Sequence, residues 1–304
     1  MTRLFGLPVL AAIVAGILFP YTAITLMPIG FVFLAVLMLL SGFSIEWGRL
    51  AAVIRRPLEL FIGLFLLFVL FPLLQFFVAR MLIDDSQYLV GAVFASLMPA
   101  ALVVPFFTGV VDGDEELSFL LLVVSMLIAP FVSPLLLQKM TASVLPIQIA
   151  PLFKSMFLLV SVPLFLSFLI SRFIPALRRR LAPYLGIGNS VTLGILIFIF
   201  FGTAVGRMNV GYESATVIVR LLLLAFIQDF GVLYLGRVIV ARLFSVRSAN
   251  AMMVSLSMKN VAIAAGILLF YDPRASLAPA MVFIAHACLF SFIPMMKKRL
   301  AIPA

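Results

Sequence analysis

Lysine and asparagine side chains occupy the middle of a long apolar stretch near the end of the sequence. Lys259 and Asn260 lie at the midpoint of residues 250–271, NAMMVSLSMKNVAIAAGILLFY, a stretch long enough to cross a bilayer. A lysine at that depth costs about 2.5–3.5 kcal/mol on insertion scales. The headgroups would lie about ten residues, or ~15 Å, away in either direction, which is farther than a lysine stem reaches. We therefore predict that Lys259 faces a protein-lined or watery cavity, with a structural ion pair as the alternative.

Two more ionisable side chains are predicted at membrane depth. Asp229 follows Gln228 in another apolar segment, and a buried aspartate is expected to be paired or functional. The alternatives for Asp229 are a salt bridge with Lys259 or Arg220, and a proton carrier coupled to Lys259. His286 is the single histidine, and we predict a structural hydrogen-bond donor there in preference to a ligand.

The same residues argue against an enzyme or a metal site. Ser257 and Lys259 form the sole candidate nucleophile–base dyad, but two residues apart on a helix they point to different faces. His286 has no second histidine or cysteine spaced for metal binding, and Cys288 is the single cysteine. The prediction is a chain that is not an enzyme and that needs no cofactor or metal.

The composition indicates a polytopic membrane protein. Of the 304 residues, 65% are hydrophobic and 11% are charged, and the mean hydropathy is +1.31, whereas soluble domains carry about 25% charged residues. The net charge of +10 is divided among short basic clusters between apolar runs, as membrane topology requires. Nucleic acid is therefore not an expected partner, and membrane lipid is.

About ten apolar segments, here called spans one to ten, are close to the length that a membrane helix needs. They cover residues 4–20, 25–44, 57–79, 88–111, 116–137, 150–171, 190–206, 217–241, 249–270 and 276–296. Residues 171–189 are predicted as a polar, basic loop. Most basic residues fall on the side that holds both termini, so the termini are predicted in the cytoplasm, with the chain in the inner membrane.

Dividing the chain into residues 1–143 and 144–304 leaves five spans in each half. Because five is odd, the halves have opposite orientations, as in transporters whose sites lie on corresponding interrupted helices at mid-membrane. Spans four and nine are the corresponding pair. Span four carries Pro99 and Pro105, which disfavour an unbroken helix. Span nine has no Gly or Pro in residues 250–265, so a continuous helix is the alternative there.

The sequence also resembles a known family. The run GAVFASLMPAALVVPFFTGVVDGDEELSFLLLVVSMLIAPFVSPLLL, residues 91–137, is similar to the signature of the bile acid–sodium symporter family. The runs FSIEWGRLAAVIRRP, SLSMKNVAIAA and FIAHACLFSFIP resemble helices two and three, nine and ten of that family. The matching residues are Gly91, Pro99, Thr108, Gly113, Leu117, Ser118, Ser125, Ala129, Pro130, Pro134, Met258, Asn260, Ala264, Ala265 and His286.

This resemblance implies an all-α membrane protein of about ten helices in two inverted five-helix repeats. Helices 3–5 and 8–10 would form a core domain, helices 1, 2, 6 and 7 a panel domain, and helices four and nine would be broken and would cross. Family members move organic anions such as bile acids, steroid sulfates or small carboxylates by sodium-coupled alternating access.

Several positions depart from the family pattern where sodium would bind. The Ser-Asn pair of the family falls on Val104 and Pro105, its paired glycines on Ala100 and Ala101, its helix-three glutamine on Leu67, and its helix-nine glutamate and glutamine on Ser255 and Lys259. Hard cations need several oxygen ligands, so we predict that the sodium sites are absent. The ammonium of Lys259 is predicted to replace the bound cation.

The leading hypothesis is therefore a carrier of an amphipathic or small organic anion that works without sodium. Proton-coupled transport, exchange and facilitated diffusion are the alternatives for its coupling. The alternatives are a regulatory or binding membrane protein that has lost transport, and a conventional sodium symporter. The predicted substrate and crossover residues are Lys259, Asn260, Ser255, Ser257, Met98, Pro99, Pro105 and Thr108. The predicted polar core consists of Asp229, Gln228, His286 and Ser125.

Overall fold

The computed structural model describes residues 6–48, 55–142, 148–207 and 215–300, and most of them are helical. The helices are α1 (Gly6–Leu18), α2 (Pro20–Ser44), α3 (Pro57–Leu82), α4 (Ser86–Ser96), α5 (Val104–Val110), α6 (Glu115–Thr141), α7 (Ala150–Phe173), α8 (Pro175–Gly206), α9 (Ala215–Val240), α10 (Val246–Ser257), α11 (Val261–Tyr271) and α12 (Leu277–Leu300). Within these ranges, seven helices are long and apolar enough to cross a membrane: α2, α3, α6, α7, α8, α9 and α12. The predicted all-α polytopic membrane fold is confirmed.

Local sequence signals mark where several helices begin. Proline occupies the first turn of α2, α3 and α8, where its missing N–H removes no helical hydrogen bond. Helices α4, α6 and α10 begin with side-chain caps, in which Asp85, Asp114 and Ser245 accept hydrogen bonds from backbone N–H groups of the first turn.

One predicted connection is wrong. Residues 171–189 were expected to form a polar loop, but a single residue, Ile174, separates α7 from α8, and α8 runs from Pro175 to Gly206. The physical reason is that the basic run in residues 178–180 consists of arginines, which are good helix formers. A helix can extend beyond the apolar segment, so polarity alone did not indicate a loop.

The helices pack in two groups. Helices α1, α2, α7 and α8 form one group, through contacts of α2 with α7 and α8 and of α1 with α8, whereas α10 packs on α6 and α9, and α12 packs on α4 and α9. The two groups meet where α1 packs on α12 and where α8 packs on α11 and α12. Small residues allow α1 and α8 to approach closely, since a Cβ on Gly16 would lie 3.1 Å from the Cα of Gly202. The division predicted between residues 143 and 144 lies outside the described residues.

Three of the long helices contain a five-residue π-helical turn. These turns are Leu66–Leu70 in α3, Phe157–Ser161 in α7 and Ile227–Gly231 in α9. Such turns change the hydrogen-bond register of a helix and are frequent at functional sites. Helices α3 and α9 correspond to spans three and eight, which occupy equivalent places in the two predicted halves.

Spans four and nine are both interrupted. Span four divides into α4 and α5, with residues 97–103 between them, and span nine divides into α10 and α11, with residues 258–260 between them. The alternative of a continuous helix in span nine is therefore wrong. The two interruptions lie next to each other, and the candidate site is built around them.

Candidate functional site

The two interrupted spans are joined by an antiparallel β-bridge between Ala100 and Lys259. Two backbone hydrogen bonds of 2.8 Å close the bridge, from Ala101 N–H to the Met258 carbonyl and from Asn260 N–H to the Pro99 carbonyl. Backbone groups at membrane depth must be satisfied within the protein. The bridge does this for both interruptions at once, which explains why span nine breaks without Gly or Pro.

Two serines of helix α6 support the crossing, the place where residues 97–103 and 258–260 meet. Ser125 Oγ accepts a hydrogen bond from Ala100 N–H at 3.2 Å and donates to the Leu122 carbonyl at 3.0 Å. Ser133 Oγ donates to the Leu97 carbonyl at 2.7 Å, immediately after the end of α4. Ser125, which was predicted as a polar core residue, therefore holds the interrupted backbone in place.

The Lys259 side chain crosses from the bridge to α3. Its Nζ donates a hydrogen bond of 2.8 Å to the carbonyl oxygen of Leu67, and Lys259 is only 3% exposed. Leu67 belongs to the π-helical turn of α3. Lys259 forms no salt bridge with the residues that the structure describes, so the ammonium is held by a neutral carbonyl rather than by a carboxylate.

The serines near Lys259 have their hydroxyls occupied by their own helix. Ser255 Oγ donates to the Ala251 carbonyl at 2.7 Å, and Ser257 Oγ donates to the Val254 carbonyl at 3.2 Å. Both residues are fully buried. Both hydroxyl protons therefore form hydrogen bonds within α10.

Three other predicted crossover residues surround the break in span four. Met98 is fully buried, and Pro105 lies in the first turn of α5. Thr108 is also buried, and its hydroxyl has no hydrogen-bond partner in the described part of the chain. These residues pack the crossing and are absent from the lining of the cavity described next.

A cavity lies between the two helix groups, beside the crossing. About 100 Å³ of it is open to water-sized molecules, enough for several waters. Asn260 and His286 border it on one side, and Ser41 and Asn189 border it on the other. Most of the remaining lining is apolar, including Leu37, Leu193, Ile197, Phe283 and Phe290. Of the predicted site residues, the cavity brings together Lys259, Asn260 and His286.

The sequence analysis did not predict Ser41 and Asn189, the polar residues on the cavity wall opposite Asn260. Asn189 Oδ1 accepts a hydrogen bond from Ser41 Oγ at 3.3 Å, and Asn189 Nδ2 donates to Ser44 Oγ at 3.3 Å and to the Leu185 carbonyl at 2.9 Å. Asn189 was assigned to the end of a loop. Leu185 and Asn189 are four residues apart and therefore share one face of a helix. This spacing was the sequence signal that could have placed Asn189 in a helix.

Asp229 pairs with His286 and with neither of its predicted partners. Asp229 Oδ2 lies 3.0 Å from His286 Nδ1, and both residues are buried. Arg220 instead forms an exposed ion pair of 3.0 Å with Asp84, and Lys259 binds Leu67. The predicted salt bridge of Asp229 with Lys259 or Arg220 is wrong, because Arg220 binds Asp84 and Lys259 binds Leu67. Gln228, beside Asp229, is buried and has no side-chain hydrogen bond among the described residues.

A salt bridge lies at one end of the crossing. Arg56, just before α3, binds Asp114, which caps α6 by accepting from Leu117 N–H. Burial opposes ionisation of Asp114, but the hydrogen bonds from Arg56 and Leu117 and the charge of Arg56 hold its pKa below the ordinary value. This pair fixes the start of α6 against the start of α3.

A second polar link ties three helices together near the same end. Arg237 of α9 donates to Asn250 Oδ1 at 2.9 Å, and Asn250 Nδ2 donates to the Val111 carbonyl at 2.9 Å. Asn250 lies in α10, and Val111 follows α5. The segments of both interrupted spans are therefore joined at their ends as well as at the bridge.

Comparisons with known proteins match this chain over most of its length. A family model described as the Sodium Bile acid symporter family matches residues 31–209, more than half of the chain. An uncharacterized sodium-dependent transporter of Bacillus subtilis, YocS, is 23% identical over 92% of this chain and 85% of its own length. A probable chloroplastic sodium/metabolite cotransporter of Arabidopsis thaliana, BASS1, is 23% identical over 86% of this chain and 64% of its own length.

Proposed function

The chain belongs to the sodium bile acid symporter family, and we propose that it moves an organic anion across the membrane by alternating access without sodium coupling. The protein is a transmembrane transporter and not an enzyme, as its family indicates. The absence of sodium coupling and the role of Lys259 go beyond what the family indicates.

The observation that carries the proposal is the hydrogen bond from Lys259 Nζ to the Leu67 carbonyl. In the family pattern, both positions belong to sodium ligands on helices nine and three. Here one position supplies a fixed ammonium and the other supplies the carbonyl oxygen that receives it. The positive charge also lies near the C-terminal end of α10, where the helix dipole is negative. Lys259 thus provides the charge and the contact that a bound cation would provide.

The remaining side chains do not fit a sodium site. Sodium is a hard cation that needs several oxygen ligands. Leu67, Val104 and Pro105 offer no side-chain oxygen. At these positions the Ser255 hydroxyl and backbone carbonyls are the oxygens that remain, and the Leu67 carbonyl already accepts a hydrogen bond from Lys259. The relatives from Bacillus subtilis and Arabidopsis thaliana carry sodium in their names. We attribute sodium independence in this chain to these substitutions.

The cavity supports a small amphipathic anion as the substrate. Its lining is mainly apolar, with amide and hydroxyl groups on opposite walls, which is the usual composition of a small-molecule site. Asn260 precedes α11, and its side chain does not cap that helix, so the amide is available to a ligand. The positive end of the α11 dipole favours an anion at the same place.

The two helix groups correspond to the two domains that would move relative to each other during alternating access. We propose that α1, α2, α7 and α8 form the panel domain, that the other helices form the core domain, and that residues 1–143 and 144–304 are inverted repeats. The packing of each group on itself supports this division. A movement of the core along the panel would expose the cavity between them first on one side and then on the other.

We propose that the chain lies in the inner membrane with both termini in the cytoplasm. Lipid would cover the exposed apolar side chains, such as Phe61, Phe77 and Phe165. The cavity extends toward Ser41, near the end of α2, where Arg178 donates to the Phe43 carbonyl. Because that side is basic, the structure would correspond to an inward-open state.

Two measurements test the proposal. Purified protein is melted in sodium chloride and in choline chloride, as the parent chain and as Lys259→Gln; sodium should stabilise only the variant. Proteoliposomes are then assayed for exchange of labelled taurocholate, estrone sulfate and pyruvate. Exchange should occur for at least one anion and should be equal in sodium and choline. Strong stimulation of the parent by sodium would identify a conventional symporter, and a folded protein without exchange would indicate a regulatory or binding role.

A further inference from the structure

We propose that Asp229 and His286 form a proton-binding site that couples proton movement to anion transport. This inference rests on the proposed function, since it supplies the coupling ion of the same carrier. It starts from two ionisable side chains that touch each other inside the protein and from the position of one of them at the cavity.

The contacts of His286 determine which of its nitrogens can receive a proton. Nδ1 lies 3.0 Å from Asp229 Oδ2 and 3.0 Å from the Val282 carbonyl oxygen. Both neighbours are acceptors, so Nδ1 carries a hydrogen in the neutral ring as well as in the charged one. Nε2 therefore holds the lone pair of the neutral imidazole. Among the residues that the structure describes, Nε2 makes no hydrogen bond of normal geometry, although the main chain of Lys259 lies close to the ring.

The proton balance of the pair follows from this arrangement. A neutral imidazole beside the Asp229 carboxylate carries a net charge of minus one. One proton from water binds the Nε2 lone pair, and the resulting imidazolium with the carboxylate has no net charge. A buried negative charge without a counter-ion is costly at membrane depth. The pair is therefore more stable in the protein interior when it holds the proton.

Other charged groups do not replace that proton. Helices α1, α4, α5 and α11, which pack against α9 or α12, contain no Asp, Glu, Lys, Arg or His. On α9, Arg220 pairs with Asp84, and Arg237 donates to Asn250. The Lys259 ammonium binds Leu67. The remaining charged side chains on the packed helices lie near helix ends and are Glu59, Arg80, Arg178, Arg179, Arg180 and Arg247.

The position of the pair connects protonation to the substrate site. His286 borders the cavity together with Asn260, and the main chain of Lys259 lies beside the imidazole. Asp229 lies in the π-helical turn of α9, next to the unpartnered Gln228. An imidazolium at the cavity wall would attract an anion, and an anion would in turn favour the protonated ring. Proton and anion would therefore bind together and leave together.

The test uses the full chain in proteoliposomes that contain pyranine. Labelled taurocholate, estrone sulfate and pyruvate are first assayed for exchange at equal pH on both sides. An acid-outside gradient is then imposed. For one proton per monovalent anion, one pH unit should drive about tenfold accumulation, and pyranine should report acidification of the lumen during anion entry.

Variants of Asp229 and His286 distinguish a role in proton coupling from a purely structural role. Asp229→Asn should retain exchange at equal pH but lose gradient-driven accumulation, so the inside and outside concentrations become equal. His286→Gln should also lose accumulation, and its exchange at equal pH should fall because the variant removes the imidazole that borders the cavity. Asp84→Asn is the matched control, because it removes a carboxylate from an exposed ion pair that involves the same helix, α9. It should keep the accumulation of the parent chain. Melting temperatures confirm that each variant is folded.

Each result decides between named possibilities. Exchange without gradient-driven accumulation in the parent chain overturns the coupling site and leaves the proposed function intact. Absence of exchange for all three anions contradicts the proposed function itself. A folded Asp229→Asn that loses exchange and accumulation together identifies a structural pair and also overturns the inference. If the variants do not fold, lumen acidification by the parent chain still decides whether protons move with the anion.

Discussion

The Nζ atom of Lys259 lies 2.8 Å from the carbonyl oxygen of Leu67 and joins the crossing to the π-helical turn of α3. A single side chain thus connects the interruption in span nine to a helix from the other half of the chain. The Lys259 amino group is part of the protein, so this contact needs no ion from solution.

Lys259→Met should lower the melting temperature, and sodium chloride should not restore it. The substitution leaves the Leu67 carbonyl without a partner, which costs about 1–3 kcal/mol for a buried polar group, and methionine offers no oxygen to a cation. Lys154→Met is the control, because Lys154 is exposed near the start of α7. A Lys259→Met protein as stable as the parent chain would show that the ammonium does not hold the crossing together.

Gly91→Ala should destabilise the protein by about 1–3 kcal/mol, as overpacking does. A Cβ at Gly91 would lie 1.9 Å from the carbonyl oxygen of Ala275, in the connection between α11 and α12. Gly194→Ala is the control, because a Cβ there meets no atom within 4 Å. Alanine is the better helix former by about 1 kcal/mol, so the control should be unchanged or more stable. Melting in detergent compares them, and equal midpoints would contradict the close approach of α4.

Ser125→Ala should slow anion exchange and destabilise the protein by about 1 kcal/mol. The variant leaves the Ala100 N–H at the bridge without its acceptor. Ser161→Ala removes a hydroxyl that has no partner in the described residues, so it should have little effect on either quantity. Exchange rates and melting temperatures measured for both variants test this difference. A reversed order of effects would show that Ser125 does not support the crossing.

Asp114→Asn should destabilise the protein at neutral pH and have a diminishing effect in acid. The pKa of Asp114 is lower in the folded protein than in the unfolded chain, so its ionised form adds stability above about pH 4. That contribution is lost as the pH falls through the folded-state pKa. Asparagine can still cap α6, so the substitution tests the charge rather than the cap.

Melting temperatures between pH 7 and pH 3 measure this effect. The difference between parent and Asp114→Asn should shrink toward zero below about pH 4. Glu116→Gln removes an exposed carboxylate from the same helix turn and should show a small difference throughout. A difference for Asp114→Asn that stays constant with pH would contradict stabilisation by the Arg56 ion pair.

The sequence predicted the all-α fold and the place of the crossing because both depend on local patterns. Long apolar runs predict membrane helices, and Pro99 removes a backbone donor at the middle of span four. The β-bridge itself was not predictable from span nine alone, since Lys259 and Asn260 break that helix through contacts with residues 99–101. Tertiary contact there overrides local helix propensity.

Partners of buried polar side chains were the least predictable part of the site. Asp229 was expected beside Lys259 or Arg220 because opposite charges attract, yet its partner is His286. The π-helical turns of α3 and α9 have no sequence signal that we recognised, although they determine where Leu67 and Asp229 lie. Pairing in a helix bundle depends on helix rotation, which hydropathy does not determine.

The β-bridge also constrains how the protein is synthesised. Ala100 and Lys259 lie in opposite halves of the chain, so the ribosome must complete nearly all of the transporter before the bridge can close. Until then, Ser125 and Ser133 of α6 are the partners among the described residues that hydrogen-bond the interrupted backbone of span four from another helix. The first half of the nascent chain therefore enters the membrane with its own temporary support, and the last helices to be inserted complete the crossing.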